Sequence, residues 1–346
     1  MAEMTFVPPD TLEDLTTRIF VAAGTPEDLA KHVAQHLVKA NLSGHDSHGV
    51  IRIPAYIAQS KTERLAPSAR PEVVKEGPSS AVVDGKRGFG QVAASFAMDV
   101  AIRKATETGV AGVSIRRANH IGRLGHYSEE AAERGFIAFV SFGSAAPGSG
   151  HMAPFGGAQR HFGTNPISFG IPSKETPPVI VDFATTMVAE GKIQVARAKH
   201  AELPPGCIVD KEGKPSTNPH DFYNGGMILP AGGHKGYGLS MVAALLGAGL
   251  TAEAAATEGR GGGVFVLAIN PRAFTTEEAF FGTVDNVAGA VKKVPTAPGF
   301  SEVLLPGEPE AKARAERRKD GVPVPADTWE AIGGAAKELG VELPQI

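Results

Sequence analysis

A short polar segment, Ser43–Gly49, places two histidines, an aspartate and two serines between stretches of apolar residues with helical spacing. Loops held between rigid elements often carry catalytic residues. An imidazole gains or loses a proton near neutral pH, so His48 is a candidate general acid/base with Ser47 beside it. Arg52 follows four residues later and lies on the same face as His48 if a helix restarts at Gly49. Because a guanidinium binds a carboxylate through paired hydrogen bonds, the segment predicts a proton carrier beside an anchor for an acid.

Two more polar positions follow predicted strands. His120 comes after an apolar strand at 110–116, and Asp182 lies near the end of another at 179–183. A buried aspartate needs polar partners, and pairing with a histidine would fix the tautomer of that histidine. Structural alternatives stay open at each position: a polar capping loop for 43–49, a hydrogen-bonded structural histidine at 120, and a helix N-cap at 182.

Two glycine-rich segments resemble phosphate-binding loops to different degrees. Residues 232–238 (GGHKGYG) precede a predicted helix, where exposed N–H groups and Lys235 suit a pyrophosphate, although the spacing is not that of a Walker A loop. Residues 88–93 match G-x-G-x-x-A, but four residues separate them from the strand, and the acid Glu107 lies on the following helix. We therefore expect no Rossmann phosphate loop, and expect Gly88 and Gly90 to permit a tight loop near the active site or a subunit contact.

The order of predicted elements indicates a mixed α+β fold. Helical patterns fill the first 75 residues, with a capping-box start at Thr11–Asp14, and return at 309–320 and 327–339. Between them, short strands and helices mix without regular βαβ alternation, which favours a mainly antiparallel or mixed, non-Rossmann sheet flanked by helices. We predict a helical domain from 1–77 with 301–346, and a mixed-sheet cofactor domain at 78–300.

Composition excludes several classes of protein. The chain has 346 residues, 42% of them hydrophobic, and a net charge of −3, so no basic excess indicates a nucleic-acid partner. The densest basic run, 312–319, is interpreted as the exposed face of a helix. One cysteine, Cys207, suits a reducing compartment. With no signal peptide and no apolar run long enough to span a bilayer, we predict a cytoplasmic protein without a membrane partner.

Several polar and glycine-rich segments of the chain, taken together, resemble the malate/L-lactate dehydrogenase family that lacks a Rossmann domain. Within it, the resemblance is greatest to bacterial hydroxycarboxylate dehydrogenases. The family also includes ureidoglycolate and sulfolactate dehydrogenases, diketogulonate reductase and a reductase of cyclic ketimines. The matching segments are GHDSHGV (44–50) with Arg52, DGKRGFGQ (84–91), NHIGRLGHY (119–127), FGTNPISF (162–169), VDFAT (181–185), PPGCIVDKEGKPSTNP (204–219), HKGYGLS (234–240) and LPGE (305–308). They follow one another over nearly the whole chain. Residues 251–262 are short and polar where relatives carry a longer loop, which puts a substrate lid in doubt.

The resemblance implies a role for each matched residue. His48 would be the general acid/base, flanked by Ser47 and oriented through Asp182, while Arg52 would hold the substrate carboxylate. His120 would lie beside the substrate, and some members give it the proton-transfer role. The remaining implied contacts are a substrate pocket lined by Ser144, Thr164 and Asn165, and a cofactor, NAD or NADP, held by Asp182, Phe183, Ala184, His234, Lys235, Gly307 and Glu308. The family is dimeric, so self-association is expected, with the site near the subunit interface.

The sequence therefore predicts an NAD(P)-dependent dehydrogenase that interconverts a small 2-oxo acid and its 2-hydroxy acid. Reduction of a cyclic imine bearing a 2-carboxylate is the alternative, because it would use the same Arg52 anchor. A hydrolase built on Ser47, His48 and Asp182 is a distant rival, since no G-x-S-x-G elbow is present. A metal site is not expected, because His45 and His48 lack a supporting H-E-x-x-H motif or cysteine pair.

Overall fold

A computed structural model describes residues 4–145, 150–198, 200–251 and 262–345. The polar segment predicted to replace a longer loop, 251–262, falls almost wholly outside the described residues. The helices are α1 Pro9–Ala22, α2 Glu27–Leu42, α3 Ile53–Lys61, α4 Gly90–Thr108, α5 Gly125–Glu133, α6 Glu190–Ala198, α7 Pro219–Tyr223, α8 His234–Ala244, α9 Glu277–Lys292, α10 Glu308–Asp320 and α11 Ala326–Glu338. Short 3-10 turns at Asp46–His48 and Val50–Arg52 connect α2 to α3.

The strands are β1 Met4–Val7, β2 Glu72–Glu76, β3 Ser80–Asp84, β4 Val110–Arg116, β5 Ile137–Ser144, β6 Ile167–Ile171, β7 Val179–Phe183, β8 Ile208–Val209, β9 Pro215–Ser216, β10 Met227–Ile228, β11 Gly262–Ile269 and β12 Val322–Pro325. Seven of them form one sheet in the order β2-β3-β4-β11-β5-β6-β7. A second sheet has the order β10-β8-β9, and β1 pairs with β12.

The large sheet is mixed, as the sequence predicted. Within the described residues, β3 and β4 are its one parallel pair of neighbours, joined through α4, and the other neighbouring strands run antiparallel. A Rossmann sheet is wholly or mostly parallel and doubly wound. The prediction of a non-Rossmann α+β fold is therefore confirmed, and Gly88–Ala93 leads into α4, the helix that joins the parallel pair β3 and β4.

The two largest apolar clusters of the described residues lie in different parts of the chain. One packs α4 and α5 against the large sheet, around side chains such as Val113 and Val266. The other joins α1, α2 and α3 to β12 and α11, so the two ends of the chain share a core that contains Leu15 and Ile332. The division into two domains stays a prediction, and β2, which precedes residue 78, already pairs with β3 of the large sheet.

Helix starts and short elements are where sequence reasoning was wrong. Helix α1 begins at Pro9 after Pro8, and no side chain caps it, so the capping box at Thr11–Asp14 is not formed. Pro9 was the overlooked indication of the start of α1, because the fixed φ of proline suits the first turn of a helix. The sequence reasoning also missed β1, β2, β12, the small sheet, α7 and α9. The strands among these have only two to five residues, and α7 has five, so their sequence patterns are short.

Across the described residues, no helix combines the length and the apolar character that crossing a membrane requires.

Candidate active site

The predicted catalytic residues line one cavity of about 540 Å³, between the α2–α3 connection, the loop after β4 and the end of β7. His48, Arg52 and His120 face it together with Ser47 and Asp182. These residues are up to 135 positions apart in the chain. The structure thus brings together the groups that the sequence could only place on separate loops.

His48 lies half-buried in the 3-10 turn Asp46–His48, with its Nδ1 3.0 Å from the hydroxyl of Ser47. Its ring stacks on that of His120 at a centroid distance of 5.5 Å. Burial, reinforced by the positive charge of Arg52, lowers the pKa of His48 to about 4. The imidazole is therefore neutral at pH 7 in the free chain, which is the form that can accept a proton.

Arg52 is turned toward the same cavity. Its Nε donates to the backbone oxygen of Ser47 at 2.7 Å, which fixes the guanidinium beside the His48 turn. Among the described residues no carboxylate forms an ion pair with it. The remaining N–H groups of Arg52 therefore suit the carboxylate of a ligand, as a fork that binds two oxygens at once.

His120 is oriented by two residues that the sequence did not single out. Tyr56, on α3, places its hydroxyl 2.7 Å from His120 Nδ1, and Gln91 donates to that hydroxyl at 2.8 Å. The Tyr56 oxygen accepts from Gln91, and its hydroxyl hydrogen is available to Nδ1, an arrangement that leaves the proton of neutral His120 on Nε2. Burial holds the pKa of His120 well below its usual value. His120 is thus a neutral donor next to His48.

Gly90, the second glycine of the G-x-G-x-x-A match at 88–93, has a structural role. A Cβ at this position would lie 2.2 Å from the backbone oxygen of Asn119 and 2.5 Å from that of His120. Only a residue without a side chain lets the start of α4 approach the His120 loop this closely. The glycine therefore serves the packing of the active-site loop, in agreement with the expectation of a tight loop near the site.

Asp182 has other partners than the one expected from the sequence. Its Oδ2 accepts from the backbone N–H of Gly125 at 2.7 Å and lies 3.6 Å from Nε of Arg123, and within the described residues it does not hydrogen-bond to His48. The physical reason is its position at the N-terminus of α5, where free N–H groups attract a carboxylate. Burial raises the pKa of Asp182, opposed by Arg123. A Ser47–His48–Asp182 triad is therefore not assembled.

The basic run at 312–319 is not merely an exposed face. Arg317 forms ion pairs with Asp46 at 2.6 Å and also donates to the backbone oxygen of Asn41. Arg314 reaches buried Glu129 at 2.8 Å. Helix α10 therefore holds the His48 turn against α2, and the interpretation of this run from sequence is corrected because two of its arginines point inward.

The three residues predicted to line the substrate pocket differ in position. Thr164 lines the cavity. Asn165 is fully buried and exchanges hydrogen bonds with the backbone of Ser144, and it also donates to Ser240 of α8. Asn165 therefore joins the end of β5 to α8 instead of reaching the cavity, and Ser144 takes part in that joint.

The residues predicted to hold a cofactor form a strip beside the cavity. Phe183 and Ala184 line the cavity itself. Gly236 packs against the backbone of Ala231 and Thr185. Because Thr185 lies two residues after β7, the glycine-rich segment 232–238 lies next to the end of that strand. On the other flank, Gly307 packs on Ile180 of β7, and the Glu308 carboxylate accepts from the N–H of Leu305 at 2.8 Å.

One end of this strip suits the pyrophosphate of a nicotinamide dinucleotide. Helix α8 begins at His234, inside the glycine-rich segment 232–238, and no side chain caps its first N–H groups. The preceding Gly232 and Gly233 have φ values of +62° and +65°, and Lys235 is exposed beside them. An uncapped helix start with an adjacent lysine suits the negative charge of a pyrophosphate.

Sequence reasoning missed several residues of the cavity. Arg123, His151, Glu190 and Lys192 all line it, although they were not predicted as site residues. Arg123 belonged to a recognised motif, NHIGRLGHY, but its side chain points to Asp182 and Glu129, which no local pattern shows. Within the described residues, no three His, Cys, Asp or Glu side chains lie close enough to hold a metal ion.

The fold is shared with known dehydrogenases. A profile of the malate/L-lactate dehydrogenase family matches residues 7–333. The chain is 37% identical to hydroxycarboxylate dehydrogenase B of Escherichia coli over 341 residues, covering 96% of this chain and 93% of that protein. The structure of sulfolactate dehydrogenase from Methanocaldococcus jannaschii superposes with a TM-score of 0.90 at 36% identity, covering 98% of each chain.

A reductase of a cyclic imine is also similar in structure. Delta1-piperideine-2-carboxylate reductase from Pseudomonas syringae has a TM-score of 0.82 and 32% identity, covering 96% of this chain and all of that one. The chain belongs to the malate/L-lactate dehydrogenase family. It is accordingly an oxidoreductase that acts on a hydroxy acid, as the sequence predicted.

Proposed function

We propose that the chain interconverts a small 2-oxo acid and its 2-hydroxy acid with NAD or NADP, using His48 as the acid/base and Arg52 as the carboxylate anchor. The observation that carries this proposal is the meeting of His48, His120 and Arg52 in one cavity next to Phe183 and Ala184. The names of the relatives, which include malate and lactate dehydrogenases, support the same class of substrate.

Each residue of the cavity has a separate role in the reduction. The bound cofactor supplies the hydride that reduces C2. Arg52 holds the carboxylate and so fixes C2 and its oxygen in the cavity. His120 offers its Nε2–H as a hydrogen-bond donor to the oxygen that becomes negative, and protonated His48 gives that oxygen its proton. Oxidation of the hydroxy acid uses neutral His48 as the base.

Substrate binding would adjust the proton affinity of His48. The positive charge of Arg52 is one cause of the low pKa of His48. A bound carboxylate neutralises that charge and adds a negative one nearby, which raises the pKa of the imidazole. The acid form needed for reduction is therefore formed preferentially when an acid is present. This argument predicts that uncharged ketones are poor substrates even when they fit the cavity.

Reduction of a cyclic imine that carries a 2-carboxylate is the second candidate. Its support is the structural similarity to the piperideine-2-carboxylate reductase. The same Arg52 would bind the carboxylate, and a protonated imine would need less help from His48. Substitution of His48 would then cost little activity with imines and much with 2-oxo acids.

One assay decides between the two candidates. Initial rates of cofactor oxidation are compared for pyruvate, oxaloacetate, 3-sulfopyruvate and delta1-piperideine-2-carboxylate, each with NADH and NADPH. We expect a 2-oxo acid to be reduced with a kcat/KM at least tenfold above that of the imine. A higher value for the imine would replace the proposed function by the alternative, and no turnover of any of them would contradict both.

We also propose that two copies of the chain associate. Helix α9 buries only Ala288 within its own chain and exposes Val287 and Val291, and a groove of about 420 Å³ on the large sheet is lined by apolar side chains such as Phe139 and Phe169. Clusters of exposed apolar side chains are typical of protein–protein interfaces. Val287→Asp should shift the sedimentation coefficient toward a monomer, whereas Asn286→Asp on the same helix should not, and a monomeric wild type would contradict the proposal.

The one cysteine bears on the compartment. Cys207 is unpaired and buried, and burial raises the pKa of its thiol, so that little thiolate forms. Such a thiol needs no disulfide partner. We propose a cytoplasmic location, which fractionation of cells that produce the protein would test.

A further inference from the structure

His45 lines the active-site cavity, but the proposed chemistry gives it no role. It directly precedes the 3-10 turn Asp46–His48, and its backbone oxygen accepts from the N–H of His48 at 2.9 Å. The side chain of His45 is 30% exposed, so its ring is only partly covered by the protein. This position makes the imidazole available to a ligand bound in the cavity.

The carboxylate of Glu310 fixes the tautomer of His45. Glu310 lies in the first turn of α10, and its Oε1 is 3.2 Å from Nε2 of the imidazole. This hydrogen bond holds the pKa of Glu310 below its usual value, so the carboxylate is ionised and can only accept. Nε2 of His45 is therefore the donor, and Nδ1 of the neutral ring keeps a lone pair.

Nδ1 of His45 is an unpaired acceptor. It has no hydrogen-bond partner among the described residues, and, in contrast to the ring nitrogens of His36, it is not fully buried. The same holds for Oδ1 of Asp182, because Gly125 donates to Oδ2 and leaves the other oxygen without a partner in the described chain. Both residues line the cavity, so a ligand with hydrogen-bond donors would satisfy two free acceptors there.

His45 and Glu310 connect the catalytic turn to the cofactor strip. Glu310 follows Glu308, a residue of the strip, by two positions on α10. Burial raises the pKa of Asp182, and the charges of His45 and Glu310 also act on this carboxyl, in opposite directions, so the three side chains are neighbours. A dinucleotide held by the strip with its nicotinamide near His48 would bring the adjoining ribose to the same region.

We propose that His45 binds a hydroxyl of the ribose that carries the nicotinamide, an inference that rests on the proposed use of NAD or NADP. The hydroxyl donates to Nδ1, and Glu310 positions the ring by accepting from Nε2. The neighbouring hydroxyls of a ribose offer two donors, which match Nδ1 of His45 and Oδ1 of Asp182. His45 therefore contributes to cofactor affinity, and the proton transfer is left to His48.

Two amide substitutions separate ligand binding from support of the turn. The side-chain amide of asparagine ends where Nδ1 of a histidine lies, and that of glutamine reaches the position of Nε2. His45→Gln therefore keeps a donor for Glu310 and loses the acceptor, whereas His45→Asn keeps the acceptor and loses the bond to Glu310. We expect the Kd of NADH or NADPH, measured by fluorescence titration, to rise about tenfold in His45→Gln and less than about threefold in His45→Asn. Equal effects or the reverse order would mean that His45 only supports the turn, and would overturn the proposal.

Fragments of the cofactor locate the contact. ADP-ribose keeps the second ribose and lacks the nicotinamide, and ADP lacks both. In calorimetric titrations, His45→Gln should weaken ADP-ribose about as much as NADH and leave ADP unchanged, while His220→Gln on the surface should change none of them. An unchanged affinity for ADP-ribose would assign the contact to the nicotinamide, and weaker binding of ADP would assign it to the diphosphate; either result would overturn the proposal.

The wild-type titration separates this proposal from the proposed function. Tight binding of NADH or NADPH that His45→Gln does not alter would overturn the assignment of His45 alone. Wild-type protein that binds neither cofactor would overturn both the assignment and the proposed dehydrogenase reaction.

Discussion

At the scale of single residues, the sequence identified the reactive groups but not their partners. His48, Arg52 and His120 line one cavity, as their residue types and motifs suggested. The hydrogen bonds of Asp182 to Gly125 and of Tyr56 to His120 join residues 57 and 64 positions apart. Such pairs depend on the packing of whole elements, so no local spacing could reveal them.

Replacing His48 by asparagine should remove the acid/base and keep a polar side chain of similar size. We expect kcat for reduction of the 2-oxo acid to fall about 10²–10⁴-fold. Cofactor affinity, measured by fluorescence titration, should stay within about threefold, because His48 does not belong to the cofactor strip. If kcat is nearly unchanged while His120→Asn abolishes turnover, the acid/base is His120.

The low pKa of His48 makes a prediction about acid pH. Oxidation of the hydroxy acid needs neutral His48, and kcat/KM reports the free enzyme. An ordinary imidazole would lose this activity below pH 6.5, whereas a pKa of about 4 leaves His48 neutral well below that value. The acid limb of the kcat/KM profile should therefore lie nearer pH 4 than 6.5. A limb at 6.5 would show that the imidazole is not desolvated in solution.

At the scale of elements, long periodic helices and apolar strands were predictable, and their roles were less so. Strands β4 and β7 were both predicted with the bounds that the structure has. Helix α10 was predicted as an element, but its inward arginines were not, because the run KARAERRK shows no apolar stripe. The face that such a helix buries is determined by Asp46 and Glu129, which lie far from it in the sequence.

The anchoring of the His48 turn by α10 can be tested with Arg317→Gln. Without the ion pair to Asp46 the turn should shift, and displacement of a catalytic group by about 1 Å can cost 10²-fold in rate. We expect kcat/KM to fall at least tenfold, and Lys319→Gln, at the exposed end of α10, to have no effect. In a double-mutant cycle with Asp46→Asn the two losses should not add, and fully additive losses would contradict a direct contact.

At the scale of the whole molecule, a sheet of mixed strand direction was predictable, because strands and helices do not alternate regularly along the sequence. The strand order β2-β3-β4-β11-β5-β6-β7 was not, since β11 inserts between strands that precede it by more than 110 residues. Strand β1 likewise pairs with β12, which brings the two ends of the chain into one core. The local sequence of neither strand indicates this pairing. Long-range pairing of this kind is determined by burial of the complete sheet.

Buried neutral histidines should make the molecule less stable in mild acid. Burial lowers the pKa values of His36, His120 and His126 in the folded chain, so the unfolded chain binds more protons below pH 6.5. Each then reduces the free energy of unfolding by up to about 1.4 kcal/mol per pH unit as the pH falls below 6.5. Denaturant unfolding of His36→Phe should show a shallower loss between pH 6.5 and 5.5 than the wild type. Equal slopes would mean that His36 is not buried as a neutral ring.

The central claim is that hydride reaches C2 of an acid held by Arg52 beside His48. It is tested most directly by following deuterium from NAD(P)H labelled at C4 of the nicotinamide into the product, with pyruvate or oxaloacetate as substrate. NMR should find deuterium on C2 of the 2-hydroxy acid, at a rate that falls at least 10²-fold in His48→Asn and with a KM that rises in Arg52→Lys. Oxidation of the cofactor without deuterium at C2, or an unchanged rate in both variants, would contradict the claim.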